Sequence, residues 1–188
     1  GTPGKYKLIN NARRDYAVKP PKKTVMDSLI EASYNVIAIG KINDIFAEQG
    51  INKALKATNN QEALNKLSSI MDKNFTGLCM VNLADFDNLY GHLRDVEGYG
   101  KALEDLDVEM PLLLNRLEMD DLLIITADHG NDPTFKGNDH TRENVPIIMY
   151  CRNFKTPHRL EPQETLACIG ATIADNFDLE PLVIGTSL

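Results

Sequence analysis

Histidine and aspartate occur together at three points of the 188-residue chain, and this pairing is its main chemical feature. The chain has only four histidines, and three of them lie within a few residues of an aspartate. Each of these groups follows or precedes an apolar segment with the length of a buried strand. Five side chains form the candidate set: Asp87, His92, Asp128, His129 and His140.

This mixture of ligand types predicts binding of divalent cations. Carboxylates and imidazoles without thiolates suit hard or borderline ions such as Mn²⁺, Mg²⁺ or Zn²⁺. Two such ions held about 3.5–4 Å apart can stabilise the attacking and leaving oxygens of a phosphoryl group. Five ligands are too many for one tetrahedral site and slightly too few for two complete sites. The set therefore indicates a two-metal centre that is short of ligands.

The other polar residues near these ligands have simpler interpretations. A single Asp-His pair in a loop is more often a hydrogen-bonded surface pair, and only the recurrence at three strand ends favours ligation. We expect Asp85 and Asp139 to orient ligands or cap turns rather than to bind metal. Arg142 and Glu143 are expected to position their loop through a salt bridge. His158 is interpreted as a surface histidine.

The elements that must position these residues alternate between strands and helices. Thr24 and Asp27 form a capping box at the start of the first helix. The predicted strands cover residues 35–40, 78–84, 122–127 and 145–150, and the predicted helices cover residues 25–33, 42–49, 60–72, 96–117 and 162–177. This order predicts an α/β fold with a mostly parallel sheet flanked by helices. In such sheets functional groups gather beyond the carboxyl ends of the strands, where the candidate set falls.

Composition excludes several classes of function. The net charge of -7 argues against nucleic-acid binding, which requires clustered Lys and Arg. No segment approaches the roughly 20 apolar residues of a membrane helix, and no signal peptide is visible. The three cysteines form no CxxC pair, which is typical of free thiols in a reducing compartment, so a cytoplasmic location is expected.

Three sequence blocks resemble those of bacterial phosphopentomutase, a family of the alkaline phosphatase superfamily. The blocks are DFDNLYGH at residues 85–92, TADHGNDPT at 126–134, and DHTRE at 139–143 followed by VP at 145–146. Weaker similarity extends to RRD at 13–15 and GKI at 40–42, so the resemblance spans nearly the whole chain. The DHGN element is shared with cofactor-independent phosphoglycerate mutase, whereas the DPT and DHTRE elements are more specific.

The resemblance implies an enzyme that moves phosphate between carbon 1 and carbon 5 of ribose or deoxyribose. A phosphothreonine would carry the phosphate, two Mn²⁺ ions (or Mg²⁺ or Zn²⁺) would bind it, and a sugar bisphosphate would activate the enzyme. By the family pattern Asp87, His92 and His140 hold one ion. Asp128 and His129 hold the second, together with an aspartate and the nucleophilic threonine near the family's N-terminus.

Neither of those last two residues has a counterpart in residues 1–188, and most or all of the family's cap domain is missing. We therefore expect a C-terminal portion of a catalytic core that is inactive alone. Departures from the family pattern are small: Leu93 replaces an arginine, Asn138 stands where threonine is common, and Asn144 replaces an aromatic residue. They leave the predicted ligands intact and weaken the substrate prediction slightly.

Basic residues provide the candidate substrate contacts. Arg13 and Arg14 have the geometry to grip a phosphate bidentately, although a solvated basic loop explains them equally well without the resemblance. Lys41 follows a strand and either faces the cleft or begins a helix.

The rival interpretations are a phosphoglycerate mutase-like enzyme or metal-dependent phosphatase, and a non-catalytic metal-binding interaction module. The expected partner is a small phosphorylated sugar. Sheet edges that the missing half would pair are expected to promote self-association.

Overall fold

The computed structural model describes residues 2–5 and 16–188. Its helices are α1 (Val25–Glu31), α2 (Ile42–Ile45), α3 (Asn60–Met71), α4 (Val96–Arg116) and α5 (Ala167–Asn176). Its strands are β1 (Asn35–Ile39), β2 (Lys53–Leu55), β3 (Gly77–Val81), β4 (Leu123–Ile125) and β5 (Ile148–Tyr150). A π-helical segment, Phe86–Gly91, lies between β3 and α4.

A parallel three-stranded sheet in the order β2-β1-β3 forms the centre of the fold. The central strand β1 is buried at every residue after the first, as its continuous apolar sequence predicts. The α/β class with a parallel sheet flanked by helices is confirmed. The short strand β2 was not predicted, because Lys53 and its polar flanks carry no apolar pattern.

The two faces of β1 carry separate parts of the core. Ile37 and Ile39 pack with Ala63 and Ile70 of α3 on one face. Val36 packs on the other face with α1 and with partly buried residues of the C-terminal region around α5. Alternate residues of a strand point to opposite faces, so one apolar run fills both layers. This packing fixes the sheet whose carboxyl edge leads into the candidate site.

Strands β4 and β5 differ from the prediction, because they form a separate antiparallel pair rather than continuing the parallel sheet. Parallel neighbours need a crossover connection that is usually helical, whereas residues 126–147 run between β4 and β5 without a helix. The chain therefore returns in the opposite direction. This connection carries most of the candidate ligands.

Some helix ends agree with the prediction and others do not. The capping box of α1 is present, since the Thr24 hydroxyl and the Asp27 carboxylate satisfy each other's backbone N–H. Helix α4 continues through Pro111. Helix α5 begins at Ala167 rather than at Pro162, and its N-cap residue Leu166 makes no side-chain capping bond.

Across the described part of the chain, every helix is too short or too polar to cross a bilayer.

Candidate metal centre

The π-helical segment brings Asp87 and His92 to the same side of the chain. Residues five apart in an α-helix point about 140° away from each other. Here the His92 N–H donates to the Asp87 carbonyl at 2.9 Å, the i→i+5 bond of a π-helix, which stacks His92 above Asp87. Such segments are frequent at functional sites. The π-helical turn therefore allows two ligands with four residues between them to face the same site.

A bridge within the β4–β5 connection brings the other histidines to the same place. The backbones of Gly130 and Thr141 pair in antiparallel fashion. The Thr141 hydroxyl accepts a hydrogen bond from the Asp132 N–H at 2.6 Å. These contacts join the segment that carries His129 to the segment that carries His140.

Three of the predicted ligands converge closely. His92 Nε2 lies 3.2 Å from Asp87 Oδ2, and His140 Nε2 lies 3.3 Å from Asp87 Oδ1. The two Nε2 atoms are 3.1 Å apart. Ligand atoms that share an ion with bonds of about 2.0–2.2 Å are separated by about 3.0–3.5 Å. These side chains therefore have the spacing of a first coordination shell.

His129 extends this group. One ligand atom each from Asp87, His129 and His140 lie within 4.8 Å of one another. The rings of His129 and His140 stack, with centroids 3.8 Å apart and planes 21° apart. All of these side chains are partly exposed, with His140 the most accessible at 46%. The group is thus open to an ion from solvent.

Backbone carbonyls orient two of the imidazoles for ligation. His92 Nδ1 contacts the Asn138 carbonyl, and His129 Nδ1 lies 3.2 Å from the Gly130 carbonyl. A carbonyl only accepts hydrogen bonds, so Nδ1 is the donor in each contact and Nε2 is the ring nitrogen that faces the other ligands. Metal-binding histidines are commonly held in this way.

The charge of Asp87 is favoured by its surroundings. Burial alone would raise the pKa of this carboxyl, but a hydrogen bond from Asn131 and three neighbouring imidazoles outweigh it, so its pKa lies below the ordinary value. Asn131 Nδ2 donates to Asp87 Oδ1 at 2.7 Å. A Cβ atom at Gly91 would lie 2.6 Å from Asn131 Nδ2, so glycine leaves the room for this contact.

The remaining predicted site residues are less closely associated. The Asp128 carboxylate is 70% exposed and lies 3.8 Å from His129 Nε2. Lys41 Nζ donates to Asn88 Oδ1 at 3.3 Å, beside a cavity of about 50 Å³ at the carboxyl ends of β1, β2 and β3. Arg13 and Arg14 lie outside the described residues. The structure therefore brings together Asp87, His92, His129 and His140, with Asp128 at the margin.

Three residues with predicted supporting roles make the following contacts. The Asp85 carboxylate accepts a hydrogen bond from the Asn60 N–H at 2.7 Å and holds the start of α3, which is closer to the predicted capping role than to the orientation of an imidazole. Asp139 contributes its backbone carbonyl, while the residue itself is exposed. Arg142 is exposed and, within residues 2–5 and 16–188, makes no ion pair with Glu143. Glu143 instead accepts a hydrogen bond from the Thr141 hydroxyl.

Two residues of the site were missed in the sequence. Asn131 contacts Asp87, and the guanidinium of Arg94 contacts Asn131 at 2.6 Å. Both residues stand next to predicted ligands, in DHGN and in GHLR. That proximity was the only available signal, because hydrogen bonds to distant carbonyls leave no pattern in the chain.

Fold and site together define an α/β protein with a candidate divalent-cation centre at the carboxyl edge of its sheet. Residues 3–181 match the family model of the Metalloenzyme superfamily, and the chain belongs to that superfamily. Among solved structures, phosphoglycerate mutase from Leishmania mexicana, studied at low cobalt concentration, has a similar fold, with a TM-score of 0.64 and 18% sequence identity. The match covers 87% of this chain and 38% of the mutase chain, so this chain spans well under half of that relative's length.

The prediction drawn from the motifs is thus confirmed at the level of the superfamily. The specific resemblance to phosphopentomutase stays a prediction, as do the partition of ligands between two ions and the identity of the metal.

Proposed function

We propose that this chain is the C-terminal part of the catalytic core of a phosphopentomutase, which interconverts the 1-phosphate and 5-phosphate of ribose or deoxyribose. The observation that carries the proposal is that the Nε2 atoms of His92 and His140 lie 3.1 Å apart, with one Asp87 carboxylate oxygen 3.2 Å from His92 Nε2 and the other 3.3 Å from His140 Nε2. Superfamily membership and the DPT and DHTRE blocks support the choice of enzyme.

In this proposal Asp87, His92 and His140 hold one cation, and Asp128 and His129 contribute to a second. Bound divalent ions would supply positive charge that neutralises the oxygens of a transferring phosphoryl group. Mn²⁺ is the preferred candidate because the resemblance to phosphopentomutase implies it, and Mg²⁺ or Zn²⁺ are alternatives that the carboxylate and imidazole donors also suit. The nucleophilic threonine, a further aspartate ligand and most or all of the cap domain would belong to a segment that precedes this one.

Substrate recognition is proposed for basic residues. Lys41 stands at the end of the central strand, and its hydrogen bond to Asn88 places its ammonium group next to the segment that carries Asp87. A cation at that position suits the phosphate of a small sugar. Arg13 and Arg14 are proposed to grip the phosphate that does not react, and a sugar bisphosphate is proposed as the activator.

A phosphoglycerate mutase is the second candidate, because the solved structure of similar fold belongs to such an enzyme. The two activities are separated by assaying a chain extended to include the preceding segment, with ribose 5-phosphate or 3-phosphoglycerate as substrate in Mn²⁺. Turnover of the pentose phosphate supports the proposal. Turnover of 3-phosphoglycerate alone would replace it with the second candidate.

Site-directed variants test whether activity depends on the centre. In the extended chain we expect Asp87→Asn to abolish turnover, since an amide supplies a neutral and weaker ligand. Asp72→Asn is the matched control, because the exposed Asp72 pairs with Arg116 between α3 and α4. The 188-residue chain itself is expected to bind metal but to show no turnover. Equal activity of the Asp87 variant and its control would refute the proposed centre.

Self-association is a further part of the proposal. The outer edges of β2 and β3 lack strand partners among the described residues, and Ile148 and Tyr150 of β5 are exposed at 56% and 39%. Unpaired edges and exposed apolar residues favour pairing between copies. Sedimentation velocity over a range of concentrations should show dimers or larger species, and a monomer at all concentrations would contradict this expectation.

A further inference from the structure

The guanidinium of Arg94 lies where the loops of the candidate metal centre meet. Its Nη1 donates to the Gly91 carbonyl at 3.0 Å, to Asn131 Oδ1 at 2.6 Å and to the Asp132 carbonyl at 2.8 Å. Its Nη2 donates to the Asp139 carbonyl at 2.6 Å, and its Nε donates to the Gly137 carbonyl. One side chain therefore joins three separate stretches of the chain.

The backbone of Arg94 has a conformation that glycine adopts more readily. Its φ of +57° lies in the left-handed region, which costs a non-glycine residue about 1–2 kcal/mol. In that conformation the Asp95 N–H donates to the Tyr90 carbonyl at 3.0 Å and closes the turn after the π-helical segment. Glycine would form the same turn without strain. Four other non-glycine residues of the described chain also have positive φ, so the role of Arg94 is argued from its side-chain contacts.

The first connection runs from Arg94 through Asn131 to Asp87. A guanidinium only donates hydrogen bonds and an ionised carboxylate only accepts them. Asn131 must therefore direct its oxygen to Arg94 and its amide nitrogen to Asp87, as the distances of 2.6 Å and 2.7 Å show. Arg94 thereby fixes the orientation of the amide that holds the Asp87 carboxylate.

The second connection runs along residues 137–140. Arg94 binds the carbonyls of Gly137 and Asp139, which flank Asn138, and the Asn138 carbonyl contacts His92 Nδ1. Asp139 directly precedes His140. Arg94 therefore holds the backbone that sets the positions of both of these imidazoles.

We propose that Arg94 is a positioning residue, which sets the affinity and coordination geometry of the metal centre by holding its loops in the binding arrangement. The inference rests on the proposed function, because it presupposes that Asp87, His92 and His140 bind a cation. All three guanidinium nitrogens donate to acceptors in the loops, so the side chain is committed to the loops rather than to a phosphate.

The test is titration of the metal-free 188-residue chain with Co²⁺, followed by calorimetry and by the visible absorption of the bound ion. Arg94→Gly removes the side chain while favouring the turn, and we expect Co²⁺ affinity to fall about 10–100-fold with a changed spectrum. Arg94→Lys keeps the charge and part of the donor set, so it should recover part of the affinity. Arg152→Ala is the matched control, because Arg152 donates to the Asn115 carbonyl at the end of α4 at 2.8 Å.

A second variant tests the connection through the amide. Asn131→Ala should weaken Co²⁺ binding, and the double variant with Arg94→Gly should lose less than the two single losses combined, because both act on Asp87. Far-UV circular dichroism in EDTA establishes which variants are folded. If Arg94→Gly is unfolded, the decision passes to Asn131→Ala and Arg94→Lys, and wild-type affinity and spectrum in both would overturn the inference.

The outcomes separate this inference from the proposed function. If the wild-type chain and Asp87→Asn bind Co²⁺ equally or not at all, the proposed metal centre fails and the inference fails with it. If the wild type binds at Asp87 but Arg94→Gly is folded and binds with unchanged affinity and spectrum, only the role of Arg94 is overturned. Weakened binding in Arg94→Gly together with normal binding in Arg152→Ala supports both.

Discussion

Replacement of His140 by alanine should remove most of the stabilisation that a divalent cation gives to the fold. His140 is central to the cluster, since its Nε2 lies 3.1 Å from His92 Nε2 and 3.3 Å from Asp87 Oδ1. Its side chain is also 46% exposed, so truncation leaves little cavity. We therefore expect the metal-free variant to lose only about 0.5 kcal/mol of unfolding free energy.

The metal-dependent loss follows from mass action. A cation at 100 times its Kd stabilises the wild type by about 2.7 kcal/mol. Loss of a residue that only supports a ligand weakens metal binding about 10–100-fold, so loss of a ligand should cost about 100-fold or more. At the same metal concentration the variant then retains about 0.4 kcal/mol. For a chain of this size the shift in Tm falls from about 5–11 °C to about 1–2 °C.

Differential scanning calorimetry with Mn²⁺ and with EDTA measures both quantities. His158→Ala is the matched control, because His158 is an exposed histidine whose Nε2 lies 3.0 Å from the Thr156 hydroxyl, away from the cluster. The control should keep the full metal-dependent shift. A His140 variant that keeps the shift of the wild type would refute the coordination that we propose.

Three further predictions concern the fold around the site. Burial alone would raise the pKa of Asp27, but hydrogen bonds from Thr24 and other donors outweigh it and hold the pKa below its ordinary value. Asp27 therefore contributes stability above about pH 4, and that stability is lost as the pH falls through its folded pKa. Asp27→Asn should therefore cost about 1–2 kcal/mol in urea unfolding at pH 7 and less at pH 3, and an equal cost at both would contradict this. Burial raises the pKa of the Cys79 thiol to about 11, so iodoacetamide at pH 8 should modify it more than about 100-fold slower than in the unfolded chain. Comparable rates by mass spectrometry would be inconsistent with a raised pKa at this half-buried position. Gly77 has a φ of +147°, and a Cβ there would lie 2.0 Å from the Asn35 carbonyl oxygen, so Gly77→Ala should cost about 3 kcal/mol or more. A loss below about 1 kcal/mol in urea unfolding would disprove this packing.

Local sequence signals predicted the central part of the fold. The apolar run of β1 predicted a buried parallel strand, and the Thr24–Asp27 pair predicted the start of α1, and both are confirmed. Each of these features depends on residues that are close together in the chain, so the local sequence is enough to predict it. The same holds for the histidines and aspartates at the strand ends, whose residue types limit the chemistry open to them.

Features that depend on distant backbone atoms could not be predicted in this way. The antiparallel direction of β5 depends on the path of residues 126–147, which has no periodic pattern. Arg94 acts on carbonyl groups, and every residue type carries one. The role of Asp85 depends on its contact with Asn60, 25 positions away. In each case the deciding partner is a backbone atom or a residue whose proximity only the folded chain establishes.

The central claim concerns where a cation binds, and anomalous diffraction measures that directly. Crystals of the 188-residue chain grown with Mn²⁺ should give an anomalous peak, at the manganese absorption edge, within about 2.0–2.3 Å of an Asp87 carboxylate oxygen and of the Nε2 atoms of His92 and His140. A saturating Mn²⁺ concentration that leaves this position without a peak, or that places the ion on other residues, would contradict the account.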